Sequence, residues 1–143
     1  MTITPYLTFK DAASAIDFYT TVFGALELSR LTDSNGKIGH AEIKIGDSTL
    51  MLSDESPASG ALSPLSIGGS PIRFHLCVED VDAVAKRLTD AGATVLRQVK
   101  NEFYGERIGL FADPFGYSWF VASKVEDVST EEAQSRWDQS VAR

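Results

Sequence analysis

Cysteine is almost missing from this 143-residue chain: Cys77 stands alone, so no intrachain disulfide can brace the fold. Histidine is nearly as scarce, with two residues, and four-coordinate structural zinc draws mainly on Cys and His. No spaced cysteine cluster, glycine-rich phosphate loop, HExxH pair or G-x-S-x-G elbow occurs. A Ser-His-Asp triad converges only in space, so the sequence leaves it open. Positive charge is also short, 13 basic residues against 20 acidic ones, for a formal net charge of −7. Nucleic-acid affinity rests on neutralising phosphates, and an anionic membrane surface makes the same demand, so neither is an expected partner. No apolar run approaches the roughly 20 residues of a membrane-spanning helix, and no basic-then-apolar leader opens the chain. The expected location is cytoplasmic.

What is present has periodicity. With 43% hydrophobic residues the chain can bury one core, either as one domain or as two pseudo-repeats sharing it. Residues 3–9 alternate and are rich in β-formers, which predicts a strand. Asp11 caps a helical pattern with Ala12, Ala15, Ile16, Tyr19 and Phe23 at three- and four-residue spacing, and Gly24 stops it. Residues 26–31, 38–45 and 49–53 read as strands joined by the Asp33-Ser-Asn-Gly36 and Gly46-Asp47 turns. The order β-α-β-β-β then returns. Residues 72–78 read as a strand, Asp80 caps a helix carrying Val81, Val84, Ala85 and Leu88, and Gly92 stops it. Strands are predicted over 94–99, 108–112 and 118–122, with a turn at Asp113-Pro-Phe-Gly116. A shift of 69 residues lays Lys10-Asp11 on Glu79-Asp80 and Gly46-Asp47 on Phe115-Gly116; a shift of 68 lays Gly24-Ala25 on Gly92-Ala93. That agreement indicates an internal duplication.

The expected organisation is a single domain over 1–143: a first βαβββ module (1–54), a linker or flap (55–70), a second module (71–123) and a helical tail (124–143). The linker region, from Asp54 to Ser70, holds five Ser, three Gly and two Pro and has no period of its own. Ser129 and Glu132 make a capping box for the tail, whose Ala133, Trp137 and Val141 form a narrow apolar stripe suited to its own domain or a partner subunit.

Two such modules, Phe18-Tyr19 with Phe23-Gly24 at the end of the first helix, and the late Asp-Pro-Phe-Gly hairpin resemble the vicinal oxygen chelate superfamily of glyoxalases, extradiol dioxygenases and bleomycin-resistance proteins. The segments Thr4 to Phe9, His40-Ala41-Glu42, Asp47 to Asp54 and Tyr104-Gly105-Glu106-Arg107 are similar to its PhnB-like branch. The resemblance implies an α+β fold of two paired βαβββ modules whose sheets curl into a cup that holds a ligand, and a homodimer. It also implies four metal-ligand positions, at Thr4, Met51, Arg73 and Phe120. None offers the carboxylate oxygen or imidazole that a divalent cation wants, so no metal and no other cofactor is expected.

Strand alternation sorts the faces. Leu7, Phe9, Phe74, Leu76, Ala41, Ile43 and Ile45 point to the helices. The other face then carries Tyr6, His40, Glu42, Met51, Arg73, His75 and Phe120, with Phe111 placed opposite Glu42 by the repeat shift. These eight residues are the expected ligand-binding set: Tyr6, Met51, Phe111 and Phe120 as walls, and Glu42, Arg73 and His75 orienting the ligand. Phe120 and Tyr104 can stack on a planar molecule. The leading expectation is reversible binding of a small, partly aromatic or cationic molecule, a drug or a metabolite. The first alternative is a lyase, isomerase or dioxygenase that uses Glu42 and His75 as acid and base, or a displaced metal among His40, Glu42, His75 and Cys77. The second is a protein-interaction module acting through the loop and tail. Cys77 itself is expected to be a buried, inert thiol.

Overall fold

A computed structural model describes residues 1–141. Strands β1 (Tyr6–Phe9), β2 (Leu26–Thr32), β3 (Ile38–Ile45) and β4 (Ser48–Asp54) form one sheet in the order β1-β4-β3-β2, with β1 parallel to β4. Strands β5 (Arg73–Cys77), β6 (Thr94–Asn101), β7 (Glu106–Ala112) and β8 (Ser118–Lys124) repeat the arrangement as β5-β8-β7-β6. In each module a helix, α1 (Ala12–Phe23) or α3 (Val81–Asp90), links the first strand to the second. Both helices begin at an aspartate whose carboxylate accepts from a backbone N–H three residues on, Asp11 from Ser14 at 3.0 Å and Asp80 from Ala83 at 3.1 Å. Gly24 closes α1 in the left-handed region at φ 69°, where a side chain would be strained. The fold is the α+β arrangement of two βαβββ modules that the repeat implies.

The modules share one core. Helix α1 touches α3, and the Arg87 guanidinium donates to the Val22 carbonyl oxygen at 3.2 Å. Phe115, in the β7–β8 turn of the second module, packs edge-on against Phe9 and Phe18 of the first. At the centre lies Asp113, 6% exposed. Its Oδ2 accepts from the Tyr19 hydroxyl at 2.6 Å and from Trp119 Nε1 at 2.9 Å. Its Oδ1 accepts from the Phe115 and Tyr117 amides at 2.9 and 3.0 Å. Tyr117 in turn donates from its hydroxyl to the Thr8 carbonyl and accepts from the Thr8 amide, both at 3.0 Å. A carboxylate in an aromatic core is tolerable only when its acceptor sites are filled, and here they are.

Several expectations are corrected. Strand β1 starts at Tyr6 rather than Ile3; Pro5 has no N–H to give a ladder. The stretch between modules is not structureless: it holds a 3₁₀ turn (Pro57–Ser59) and a single turn of helix, α2 (Pro64–Ile67). Glu55 organises it, accepting from the Ser63 amide and hydroxyl and from the Ser66 hydroxyl. Phe111 does not face the cup. It is 1% exposed, lies in the core and pairs in register with Trp119, while Leu110 pairs with Phe120. The reason is one residue: the Ala112–Ser118 connection leaves three residues outside the Asp113–Tyr117 pairing, where Ile45–Ser48 leaves two. Beyond that turn the repeat shift is 69 on β8 but 68 on β7, and a slip of one inverts the face. Cys77 is also exposed, not buried, because β5 is an edge strand and its open face is uncovered.

Candidate functional site

The helix-facing sides of the two sheets are joined through the shared core, and their other sides face away from it, the second one partly walled by the C-terminal segment. On the first sheet one row runs Tyr6, Met51, Glu42, Ser29 in register. The Tyr6 hydroxyl lies 2.8 Å from His40 Nδ1, and His40 Nε2 is 3.8 Å from the Glu42 carboxylate. On the second sheet the matching row runs His75, Phe120, Leu110, Arg97. The guanidinium carbons of Arg73 and Arg97 stand 5.1 and 5.8 Å from the centre of the Phe120 ring. Both distances suit a cation–π contact. Among the described residues neither arginine pairs with a carboxylate.

Beside Phe120 a cleft of about 270 Å³ opens between the sheet and α4 (Thr130–Val141), with Tyr104, Phe103, Ile108, Trp137, Arg97 and Glu102 among its walls. Helix α4 is held there by Arg136, which donates to the Phe103 carbonyl at 2.7 Å and to Glu126 at 2.6 Å, and by the Trp137 ring, 6.0 Å from that of Phe103. Partial burial and the nearby Glu102 and Glu106 carboxylates push the Tyr104 phenol up, so it remains a neutral hydrogen-bond donor. Gly105, at φ 95°, lets the chain turn against residues 125–128, since its carbonyl accepts from the Val125 and Glu126 amides.

The predicted set is thus divided between two faces. Tyr6, His40, Glu42 and Met51 share the first sheet; Arg73, His75 and Phe120 share the second; Phe111 belongs to neither. Glu42 contacts His40 and Ser29, and His75 contacts Glu106, so within one chain Glu42 and His75 do not meet. The same division separates His40 and Glu42 from His75 and Cys77. Among the described residues no three His, Cys, Asp or Glu side chains converge as a metal site. The four inherited ligand positions do not fit a metal either, since two of them, Arg73 and Phe120, are stacked on each other. Arg97, Glu106 and Trp137 were not legible as site residues. The register of the bulged β6–β7 ladder aligns Arg97 with Phe120, and no local spacing shows it.

The sequence profile of the Glyoxalase/Bleomycin resistance protein/Dioxygenase superfamily matches residues 3–121. An uncharacterized protein of Mycobacterium bovis is 42% identical over 136 residues, covering 93% of this chain and 90% of that one. Among solved structures, protein PA1353 of Pseudomonas aeruginosa is 28% identical with a TM-score of 0.70, covering 88% of this chain and 99% of its own. The PhnB protein of Bacillus cereus shares the fold at 20% identity and a TM-score of 0.68, over 86% of this chain and 99% of its own.

Proposed function

The chain belongs to the glyoxalase/bleomycin resistance/dioxygenase superfamily, and on that premise we propose that it binds a small planar aromatic molecule reversibly and without a metal. The observation that carries this reading is the Phe120 ring, flanked by two guanidinium groups and set in the wall of an aromatic cleft. Apolar walls with a few convergent polar groups are the composition of a small-molecule site. Phe120, Tyr104 and Trp137 supply ring faces, while Arg73 and Arg97 supply charge. Two arginines on one ring, neither paired with a carboxylate among the described residues, favour an anionic substituent over a cationic one, since guanidinium matches carboxylate geometry.

The open faces leave each half-cup one-sided. The reading therefore includes a homodimer in which a second copy sets its Tyr6–His40–Glu42 face over the Phe120 face. Leu26 and Leu31, 63% and 65% exposed on β2, add apolar surface at that rim. No helix among the described residues is long and apolar enough to cross a membrane.

The test is a fluorescence titration with 2-naphthoate, with 2-naphthalenemethanol and 2-naphthylmethylammonium as neutral and cationic probes. Trp137 lines the cleft, so binding changes its emission. The order of affinity expected is anion, neutral, cation. Losing one aromatic partner forfeits about 0.5–1.5 kcal/mol, so Phe120→Ala weakens the anion about 2- to 12-fold. No saturable response to any probe, or no effect of Phe120→Ala on a response that occurs, removes the reading. Sedimentation at micromolar concentration checks the dimer, and a monomer with full affinity contradicts it.

A further inference from the structure

One strand position beyond Phe120, the second sheet carries a different chemistry. Alternation along β5 puts Arg73, His75 and Cys77 on the open face. The Cys77 Sγ lies 3.8 Å from His75 Nδ1, within reach of an S–H···N bond. His75 Nε2 lies 3.0 Å from one Glu106 oxygen and 3.2 Å from the other. A carboxylate only accepts, so Nε2 holds the hydrogen and the Nδ1 lone pair faces the thiol. The order is nucleophile, base, orienting carboxylate. The two imidazole nitrogens serve opposite neighbours, so the three groups form a line rather than a metal cage. A cleft of about 490 Å³ opens beside the sulfur, and Tyr104, Glu106 and Lys124 line it.

We propose that Cys77 is a nucleophile toward soft carbon electrophiles, specifically α,β-unsaturated carbonyl compounds, with His75 as its general base and Glu106 as a positioning residue. The thiol proton passes to His75 Nδ1 while a sulfur lone pair forms the C–S bond to the β-carbon. The C=C π pair moves to the α-carbon and carbonyl as an enolate. The imidazolium, opposed by the Glu106 carboxylate, then returns its proton to the α-carbon. The product is a thioether adduct, and no oxidant, reductant or leaving group is needed. Tyr104 lines the same cleft and supplies a hydroxyl donor for the enolate oxygen, while the Lys124 ammonium there is paired with Asp127. The proposal goes beyond ligand binding at Phe120: the electrophile enters the cleft beside Cys77, which shares Tyr104 with the Phe120 cleft but not Phe120, Arg97 or Trp137, and the adduct is read at the thiol itself.

The experiment measures the second-order rate of addition of acrylamide and of N-ethylmaleimide to the intact protein at pH 7, by mass spectrometry. Cys77→Ser confirms that the single thiol is the site. A positioned general base supplies about 10²-fold or more, and partial exposure of His75 lowers the expectation to about tenfold over the same thiol in the urea-unfolded chain. A normal solvent deuterium isotope effect is expected, because the proton is in flight as the C–S bond forms. His75→Gln removes the excess rate and the isotope effect. Glu106→Gln reduces both while its circular dichroism spectrum and melting temperature match the parent, and Glu106→Asp restores part. A folded protein that reacts no faster than its unfolded chain overturns the proposal, and this comparison requires no variant. An excess rate unchanged in folded His75→Gln overturns it as well.

Discussion

Asp113 is the residue whose loss should be felt furthest from its own position. In Asp113→Ala the Tyr19 hydroxyl and the Trp119 N–H lose their acceptor in a core where the two residues are 0% and 3% exposed. Each buried donor left without a partner costs about 1–3 kcal/mol. The Phe115 and Tyr117 amides lose their acceptor too, at about 0.5–1.5 kcal/mol each, less where water reaches the turn. Against this stands relief from holding a carboxylate in the core, a cost seen in the direction of its pKa: burial pushes Asp113 up despite its four donors. The net expectation is a loss of about 3–5 kcal/mol, a large part of a typical domain's stability. Urea unfolding followed by tryptophan emission measures it, with the midpoint falling at unchanged slope. Asp113→Asn should cost less, about 2 kcal/mol, because the amide oxygen still serves one pair of donors and the Tyr19 hydroxyl can turn to accept. The pH dependence follows from the raised pKa. The group's contribution is complete below its unfolded value of 3.8 and is lost as pH rises through the folded value, so the gap between the parent and Asp113→Asn widens toward acid. A loss under about 1 kcal/mol in Asp113→Ala would refute the reasoning, since orphaned buried donors could not then carry the cost assigned to them.

Two further outcomes follow from local geometry. Glu55, held at about 2 by the hydroxyls of Ser63 and Ser66 and the Ser63 amide, has the opposite sign to Asp113. Its stabilisation is complete above 4.5 and lost as pH falls toward 2, so thermal melts of the parent and Glu55→Gln should draw together over that window; a constant gap contradicts the assignment. Gly105→Ala places a Cβ at φ 95° against the Glu126 carbonyl oxygen and 3.1 Å from a Val128 methyl. Strain at φ alone costs about 1–3 kcal/mol, or about 4 °C in melting temperature per kcal/mol, and an unchanged melt would mean that the turn relaxes freely.

Local grammar was legible in the sequence. Asp11 and Asp80 cap helices, Gly24 stops one, and Leu7, Phe9, Ala41 and Ile43 are buried as their alternation requires, because caps and period-two burial depend only on neighbours along the chain. From those features came the repeated βαβββ order and the family resemblance. Tertiary structure decided what meets what. The packing of α1 on α3 and the Asp113 network join the modules through their helix faces, which leaves Glu42 with His40 and His75 with Glu106 on separate open sheets. One extra turn residue sends Phe111 into the core, and edge placement of β5 exposes Cys77 beside its imidazole. Register, edge position and inter-module docking are set by the sum of many non-local contacts, and no window of sequence contains that sum.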